Sequence, residues 1–197
     1  MKIKTLSDSE FLQACAALAA RVGADYAPDV VVGILTGGGY VGREICRSLP
    51  PDDRRRYWEL KVQRTGTPLK EWAGVRWILR HTPLGILNGL RRLESCLLER
   101  RSKRTTPMRQ GEFAVPPELD AFLKSGGRKI LLTDDAIDSG ATMMWVKNQF
   151  IEQYKDLEIK VAVITVTTPH PLVDADYALY RDRVLVRFPW SNDMKRE

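Results

Sequence analysis

The segment from Lys129 to Met143, KILLTDDAIDSGATM, holds the side chains of this sequence that are best suited to chemistry. Its apolar residues 130–132 predict a short buried strand. Asp134 and Asp135 follow at the strand end, where carboxylates can accept hydrogen bonds from sugar hydroxyls or hold a hard cation such as Mg²⁺. The turn 139–142 then supplies small residues, two hydroxyls and the free backbone N–H groups of a helix start, which attract anions. We therefore predict a site for a phosphate and a sugar.

An Asp-rich turn at the start of an ordinary helix is the simplest alternative explanation of this segment. Such a turn would account for two or three of the residues. It does not explain why a strand, an acid pair, a further acid at Asp138 and a Gly-x-Thr sequence follow one another in this order. The ordered series favours a ligand site over a solvated turn.

A second segment, from Asp29 to Tyr40, is a β-branched run that leads into Gly37, Gly38 and Gly39. Apolar residues then recur at helical spacing, at Val41, Ile45, Cys46 and Leu49. Three glycines alone indicate a tight turn between a strand and a helix. Together with the acidic segment they favour a loop whose backbone approaches a ligand, since glycine has no Cβ and tolerates unusual backbone angles.

These two segments resemble the type I phosphoribosyltransferases, whose signature is an apolar strand, two acids and a small-residue loop for the 5′-phosphate of phosphoribosyl pyrophosphate (PRPP). A third similarity is HPLVDADY from His170 to Tyr177, followed by VLVRFPWS from Val184 to Ser191. Bacterial xanthine-guanine phosphoribosyltransferases end in a similar way, and there this region forms a hood over the base. The resemblance implies an α/β fold with a doubly wound parallel sheet, a hood and a helical insert, all in one domain over residues 1–197.

The resemblance also implies roles for individual residues. PRPP would bind to Asp134, Asp135, Ser139, Gly140, Ala141 and Thr142, and its pyrophosphate group to Thr36, Gly37, Gly38 and Gly39. Asp134 and Asp135 would also hold Mg²⁺, and Asp138 would take a proton from the base. Phe188 and Trp190 would offer aromatic surface to the base, although an aromatic residue beside Pro189 is equally typical of a hydrophobic core.

The implied reaction is displacement of pyrophosphate from C1 of PRPP by a nitrogenous base, with a purine favoured. Two places depart from the family pattern: Gly37 stands where a basic residue is usual, and residues 167–169 replace a lysine that reads a 6-oxopurine. These departures leave two alternatives open. One is a non-catalytic regulator that senses PRPP or a nucleotide and binds nucleic acid, and the other is a transferase for a different nucleobase or a specialised biosynthetic acceptor. Retention of Asp138 favours the enzyme.

Length and composition limit the possibilities further. A chain of 197 residues is long enough for one α/β domain with an appended subdomain. Cys15, Cys46 and Cys96 have neither paired nor metal-ligand spacing, which indicates a reducing compartment. No apolar run approaches the roughly 18 residues needed to cross a membrane, and the N-terminus lacks a secretory pattern. We expect a cytoplasmic homo-oligomer with no membrane partner.

The remaining sequence predicts alternating helices and strands. The pattern from Ser7 to Glu10 is a capping box before an amphipathic helix, with Gly23 as its stop. Further predicted elements are strand 57–62, a capped segment at 116–126, a helix from Ala141 to about Tyr154, and strand 160–166. This alternation is typical of a parallel sheet that binds its ligand at the carboxyl ends of the strands.

Basic residues concentrate in one region of the chain. Residues 54–109 hold fifteen Lys or Arg against four acids, an excess of +11 where the whole chain has +6. Amphipathic spacing between Trp72 and Arg104, interrupted at Pro83, predicts two helices. We assign a basic, mainly helical insert to residues 64–115. Three interpretations of this insert are open: a solvated oligomer arm, a lid over the reacting centre, or a nucleic-acid-binding surface. The solvated arm is the simplest interpretation, and the lid is favoured over the nucleic-acid-binding surface.

Overall fold

The structure is a computed structural model that describes residues 2–62, 113–181 and 183–191. The basic insert predicted at 64–115 lies outside the described residues, apart from positions 113–115. Its helices, and its role as arm, lid or nucleic-acid surface, therefore stay predictions.

Strands and helices alternate along the described part of the chain. In chain order they are β1 (Lys2–Thr5), α1 (Asp8–Asp25), β2 (Val30–Ile34), α2 (Gly37–Ser48), β3 (Arg56–Leu60), α3 (Pro117–Lys124), β4 (Lys129–Ile137), α4 (Ala141–Gln153), β5 (Glu158–Val166), β6 (Tyr177–Tyr180) and β7 (Val184–Arg187). None of the described helices has the length and apolar character needed to cross a membrane.

Five strands form a parallel sheet in the order β3-β2-β4-β5-β6, which confirms the predicted fold class. β2 pairs with β3 on one side and with β4 on the other. From β2 the chain therefore continues toward one edge of the sheet, and from β4 it continues toward the opposite edge. A crevice opens at the carboxyl ends of strands at such a switch point, and ligands bind there. Here it lies between the segments that follow Ile34 and Ile137. Both segments were selected from the sequence alone.

Helices cover both faces of this sheet. Successive strand residues point to opposite faces, so Val31 of β2 packs with α1 and α2, while its neighbours Val30 and Val32 pack with α3 and α4. All five residues of β2 are buried. A strand covered on both faces reads as a continuous apolar run, which explains the β-branched sequence before the glycines.

The prediction for α1 was correct at its start and wrong at its end. Ser7 Oγ accepts a hydrogen bond from the Glu10 N–H, and the Glu10 carboxylate accepts one from the Ser7 N–H, which completes the capping box. The helix continues past Gly23 to Asp25. A Cβ at position 23 would lie 3.5 Å from Leu49 Cδ2, an ordinary contact. Packing against the end of α2 thus supports the helix where glycine alone suggested a stop.

The strand boundaries also differ from the prediction. β4 runs on to Ile137, which pairs with Val166 of β5, so the acid pair lies inside a strand instead of after it. The register with β5 decides this, because it offers backbone partners beyond the apolar run 130–132. The predicted strand 57–62 is β3 at 56–60, and the helix predicted from Ala141 is confirmed as α4.

A second, two-stranded sheet joins the two ends of the described chain. β1 and β7 pair in parallel, with Lys2 opposite Val184. The hydroxyl of Thr165 in β5 donates a hydrogen bond of 2.6 Å to the Val184 carbonyl and so ties the small sheet to the large one. The polar four-residue β1 gave no signal in the sequence.

Candidate active site

The first turn of α2 packs directly against the acid pair of β4. A Cβ built on Gly37 would lie 2.1 Å from Asp135 Oδ2, and one on Gly38 would lie 2.3 Å from the Thr133 carbonyl oxygen. Real Cβ atoms do not approach other atoms so closely, so a side chain at position 37 would displace the Asp135 carboxylate and one at position 38 would displace backbone. The glycine run therefore brings the start of a helix into contact with the carboxylates.

Residues 37–39 are helical, which corrects the expectation of a loop there. α2 begins at Gly37, Thr36 precedes it, and the Leu35–Thr36 peptide bond is cis. The Gly39 N–H donates to the Thr36 carbonyl at 3.2 Å. From β3, the Tyr57 hydroxyl donates to the Gly39 carbonyl at 2.7 Å. This tyrosine was not singled out from the sequence, because its contact depends on strand pairing.

The two carboxylates of the acid pair have different surroundings. Asp134 is only 5% exposed, and its Oδ1 accepts a 2.9 Å hydrogen bond from the Asp135 N–H. Asp135 is half-buried, with its carboxylate against Gly37. The more exposed carboxylate therefore faces the start of α2, where helical N–H groups attract negative charge.

The turn between β4 and α4 forms the other helix start. Gly140 is the residue before the helix and has φ of 77°, a left-handed conformation that favours glycine. Ser139 Oγ accepts a 3.3 Å hydrogen bond from the Ala141 N–H. The first N–H groups of an α-helix have no partner within the helix, so a helix start such as that of α4 attracts anions. The half-buried Thr142 lies in this first turn.

This turn is also attached to the segment before β6. The Leu172 N–H donates a 2.9 Å hydrogen bond to the Ser139 carbonyl. A Cβ on Gly140 would lie 2.8 Å from the Val173 backbone nitrogen. Position 140 therefore needs glycine for two reasons: its φ is positive, and the backbone of residues 172 and 173 approaches it closely. No local sequence signal predicts this contact.

Asp138, the third acid, stands immediately after β4 with its side chain exposed. Its Oδ1 accepts a 2.6 Å hydrogen bond from the hydroxyl of Thr167, which follows β5. The loop and the adjacent strand end thus hold one side of this carboxylate. Sequence reasoning placed Asp138 at the site but missed the contact with Thr167.

The chain matches a known protein family over most of its length. The model of the family described as "Phosphoribosyl transferase domain" matches residues 3–190 of this chain. The chain belongs to the phosphoribosyltransferase family. It is accordingly an enzyme of phosphoribosyl transfer, and the resemblance drawn from its motifs is confirmed.

Solved structures of several phosphoribosyltransferases share the fold. The purine phosphoribosyltransferase of Pyrococcus horikoshii matches with a TM-score of 0.57 and 20% identity, over 100% of this chain and 99% of that chain. The Helicobacter pylori xanthine-guanine-hypoxanthine enzyme matches with a TM-score of 0.55 and 13% identity, over 95% and 91% of the two chains. The Trypanosoma cruzi hypoxanthine enzyme with the product IMP gives 0.52 and 15%, over 88% and 76%. No curated protein sequence matches this chain.

The aromatic residues predicted to contact the base lie in a cluster of this phosphoribosyltransferase beside α1 and α2. Trp190 stacks on Phe188 and Tyr40, with ring centroids 4.9 and 4.6 Å apart, and meets Phe11 edge-on. Phe188 is 4% exposed. Trp190 borders a surface groove whose lining includes none of residues 134–142. These contacts are those of packed side chains, and a contact with the base stays a prediction.

The carboxylates of the candidate site fit a cation that is held mainly by the phosphates of a bound substrate and by water. Among the described residues, no group of three or more His, Cys, Asp or Glu side chains is arranged to hold a metal ion. Mg²⁺ is commonly held by one or two carboxylates together with substrate phosphates and water. Asp134 and Asp135, inside β4 near its carboxyl end, would supply one or two carboxylates, and a phosphate-bearing ligand would supply the rest.

Proposed function

We propose that this phosphoribosyltransferase transfers the 5-phosphoribosyl group of PRPP to a nitrogenous base, with a purine as the favoured acceptor, and releases pyrophosphate. One observation carries the proposal. The start of α2 contacts Asp135, and the start of α4 follows the same strand after a short turn, so two anion-attracting helix ends flank one acid pair. A ligand with a phosphate at one end, a pyrophosphate at the other and a ribose between them suits this arrangement.

The 5′-phosphate binds in the turn 139–142. Backbone N–H groups and the Thr142 hydroxyl donate to its oxygens, and the N-terminal end of the helix dipole stabilises the negative charge. The leaving pyrophosphate lies over residues 36–39 at the start of α2, where Thr36 is exposed and Gly37 is half-buried. Binding both ends orients the ribose, and orientation is a large part of the rate in reactions that need little covalent help.

Asp134 and Asp135 accept hydrogen bonds from the ribose hydroxyls and provide carboxylate oxygens for Mg²⁺. When bound, the metal supplies positive charge that neutralises the departing pyrophosphate. Because Asp134 is already engaged with the backbone of Asp135, it is held in place. The half-buried Asp135 is the more accessible of the two.

Asp138 accepts the proton that the base loses as its ring nitrogen bonds to C1 of the ribose. A carboxylate is suited to this step when it reaches the proton directly or through one water. Asp138 follows β4, is exposed, and is bonded to the hydroxyl of Thr167. The purine preference is supported by the resemblance of this position to that of the 6-oxopurine enzymes. The fold shared with enzymes whose names include purine, guanine or hypoxanthine agrees with it.

The proposed setting is a reducing cytoplasmic compartment, in which the enzyme is a homo-oligomer. Cys15 and Cys46 are free cysteines, and burial raises the pKa of the Cys15 thiol to about 12, which keeps it protonated and unreactive. Light scattering coupled to size-exclusion chromatography measures the oligomeric state. A mass equal to that of a single chain would contradict this part of the proposal.

A product assay tests the proposed reaction. The full chain is incubated with PRPP, Mg²⁺ and one base at a time from a set of hypoxanthine, guanine, xanthine, adenine, uracil and orotate. Pyrophosphate and the nucleoside 5′-monophosphate are both quantified by chromatography. We expect equimolar products with at least one purine and none with the pyrimidines. PRPP binding without monophosphate product from any of these bases would overturn the proposed purine acceptor.

A further inference from the structure

Thr167 is fixed where β5 ends, beside the end of β4. Its N–H donates a 2.9 Å hydrogen bond to the Ile137 carbonyl, which adds one rung beyond the Ile137–Val166 pair of the sheet. The residue is 6% exposed. Its side chain therefore has little freedom, and its position follows from the sheet itself.

The hydroxyl proton of Thr167 has two acceptors within reach. Oγ1 lies 2.6 Å from Asp138 Oδ1 and 3.4 Å from the Ile137 carbonyl oxygen. One proton cannot serve both well, and the short contact to a charged carboxylate is the stronger bond. The hydroxyl is therefore committed to Asp138.

Asp138 itself is exposed, so packing does not select its side-chain conformation. An aspartate on the surface samples three staggered χ1 wells and a broad χ2 distribution. Within the described part of the chain, the Thr167 hydroxyl is the only hydrogen-bond donor to this carboxylate. This single bond holds Oδ1 and leaves Oδ2 without a protein donor among the described residues.

We propose that Thr167 is a positioning residue, which holds the Asp138 carboxylate with Oδ2 directed to the proton of the incoming base. The proposal rests on the proposed function, since it assumes that Asp138 handles that proton. A buried hydroxyl anchored to the sheet thereby gives an exposed carboxylate one orientation. Positioning of this kind raises the fraction of bound complexes that are ready to react.

A simpler role is that the hydroxyl satisfies a buried polar group and serves only stability. Asp138 does not need a protein hydrogen bond for stability, because an exposed carboxylate is solvated by water when its partner is removed. The two roles therefore differ in what Thr167→Val changes. Loss of positioning lowers turnover and leaves the folded chain nearly as stable, whereas loss of a structural bond lowers stability.

The test compares three variants in steady-state kinetics and thermal denaturation. Thr167→Val replaces the hydroxyl with a methyl group of similar size, and Thr167→Ser restores a hydroxyl. Thr165→Val is the matched control, because it removes a buried threonine hydroxyl from β5, two residues before Thr167, the one bonded to Val184. We expect kcat to fall about tenfold in Thr167→Val, with KM for PRPP unchanged, since one orientation is spread over several.

In Thr167→Ser we expect kcat within about twofold of the original enzyme, and in Thr165→Val a lower melting temperature with kcat unchanged, because only the structural bond is lost. The proposal is overturned if Thr167→Val keeps its turnover. It is also overturned if Thr167→Ser loses as much as Thr167→Val, because the methyl packing would then be the important feature.

A readout that does not depend on turnover separates this inference from the proposed reaction. Three-bond NMR couplings report the χ1 distribution of Asp138 in the free protein. We expect one dominant rotamer in the original chain and averaged couplings in Thr167→Val. If the original chain forms no nucleotide but shows this contrast, the proposed reaction fails and the positioning contact stands. Averaged couplings in both proteins would overturn the inference whatever the activity.

Discussion

The carboxylate of Asp135 occupies the space that a side chain at position 37 would need. A Cβ on Gly37 would lie 2.1 Å from Oδ2 of Asp135 and 2.2 Å from its carboxyl carbon. A side chain at position 37 would therefore push this carboxylate away from the start of α2. This contact connects the two segments that the proposed reaction assigns to pyrophosphate and ribose.

Gly37→Ala should weaken PRPP binding more than it weakens the fold. The three atoms nearest to the added methyl all belong to the side chain of Asp135, which can rotate away, and the carboxylate is then misplaced for the ribose. We expect at least a tenfold higher Kd for PRPP with Mg²⁺ by calorimetry, and a small change in melting temperature. Gly23→Ala is the control: its Cβ has ordinary contacts, so it should leave binding intact and stabilise α1 by up to about 1 kcal/mol. An unchanged Kd in Gly37→Ala would contradict the assignment of Asp135.

Gly38→Ala should weaken the fold more than it weakens PRPP binding. A Cβ there would lie 2.3 Å from the Thr133 carbonyl oxygen and 2.8 Å from Asp134 Cα, and backbone atoms cannot rotate away. The helix or the strand must shift, at a cost of about 2 kcal/mol, which is typical of overpacking. Chemical denaturation measures this loss. A variant as stable as the original would show that the contact between α2 and β4 is looser than described.

Thr142→Val should raise the Kd for PRPP and for nucleoside 5′-monophosphates by about tenfold or more. The variant keeps the shape of the side chain but removes a hydrogen bond to a charged phosphate. Thr142→Ser should bind nearly as well as the original chain. Gly140 is a poorer target, because any Cβ there also strains the backbone and collides with Val173. Equal calorimetric affinities of the valine and serine variants would remove the Thr142 hydroxyl from the site.

Asp138→Asn should lower kcat by about 10²-fold and leave PRPP affinity nearly unchanged. The amide has almost the same size but cannot take a proton, and general acid–base help is commonly worth this factor. Single-turnover measurements with saturating PRPP isolate the chemical step. If binding and turnover fall together, the carboxylate has a structural role instead.

Acid should remove a stabilising contribution from Asp25. The Tyr177 hydroxyl donates to this carboxylate at 2.7 Å, and that bond, followed by Lys160, holds the pKa of Asp25 below its usual 3.8. A depressed pKa stabilises the fold above the unfolded value, and the contribution is lost as pH falls below about 3.8 through the folded value. The melting temperature of Asp25→Asn should lie below that of the original chain at pH 6, and the gap should shrink at pH 3. A gap that is constant with pH would disprove the linkage.

Contacts that are local in the chain were predictable from the sequence. Ser7 and Glu10 are three residues apart, so their residue types alone specify a capping box and the start of α1. The order of apolar strand, acids and small-residue turn likewise specified the start of α4 at Ala141. The same motifs indicated the family, because the order of residue types along the chain can be recognised without knowing which residues are in contact.

Only the tertiary structure decided which distant residues share the site. The hydroxyl of Thr167 contacts Asp138 because β5 pairs with β4 in one register. Residues 172 and 173, far along the chain from Gly140, pack against it in the folded structure. The length of β4 and the continuation of α1 past Gly23 were set in the same way, by partners that lie far along the chain. Residue types state which bonds a side chain can make, but strand register and helix packing determine which partner is within reach.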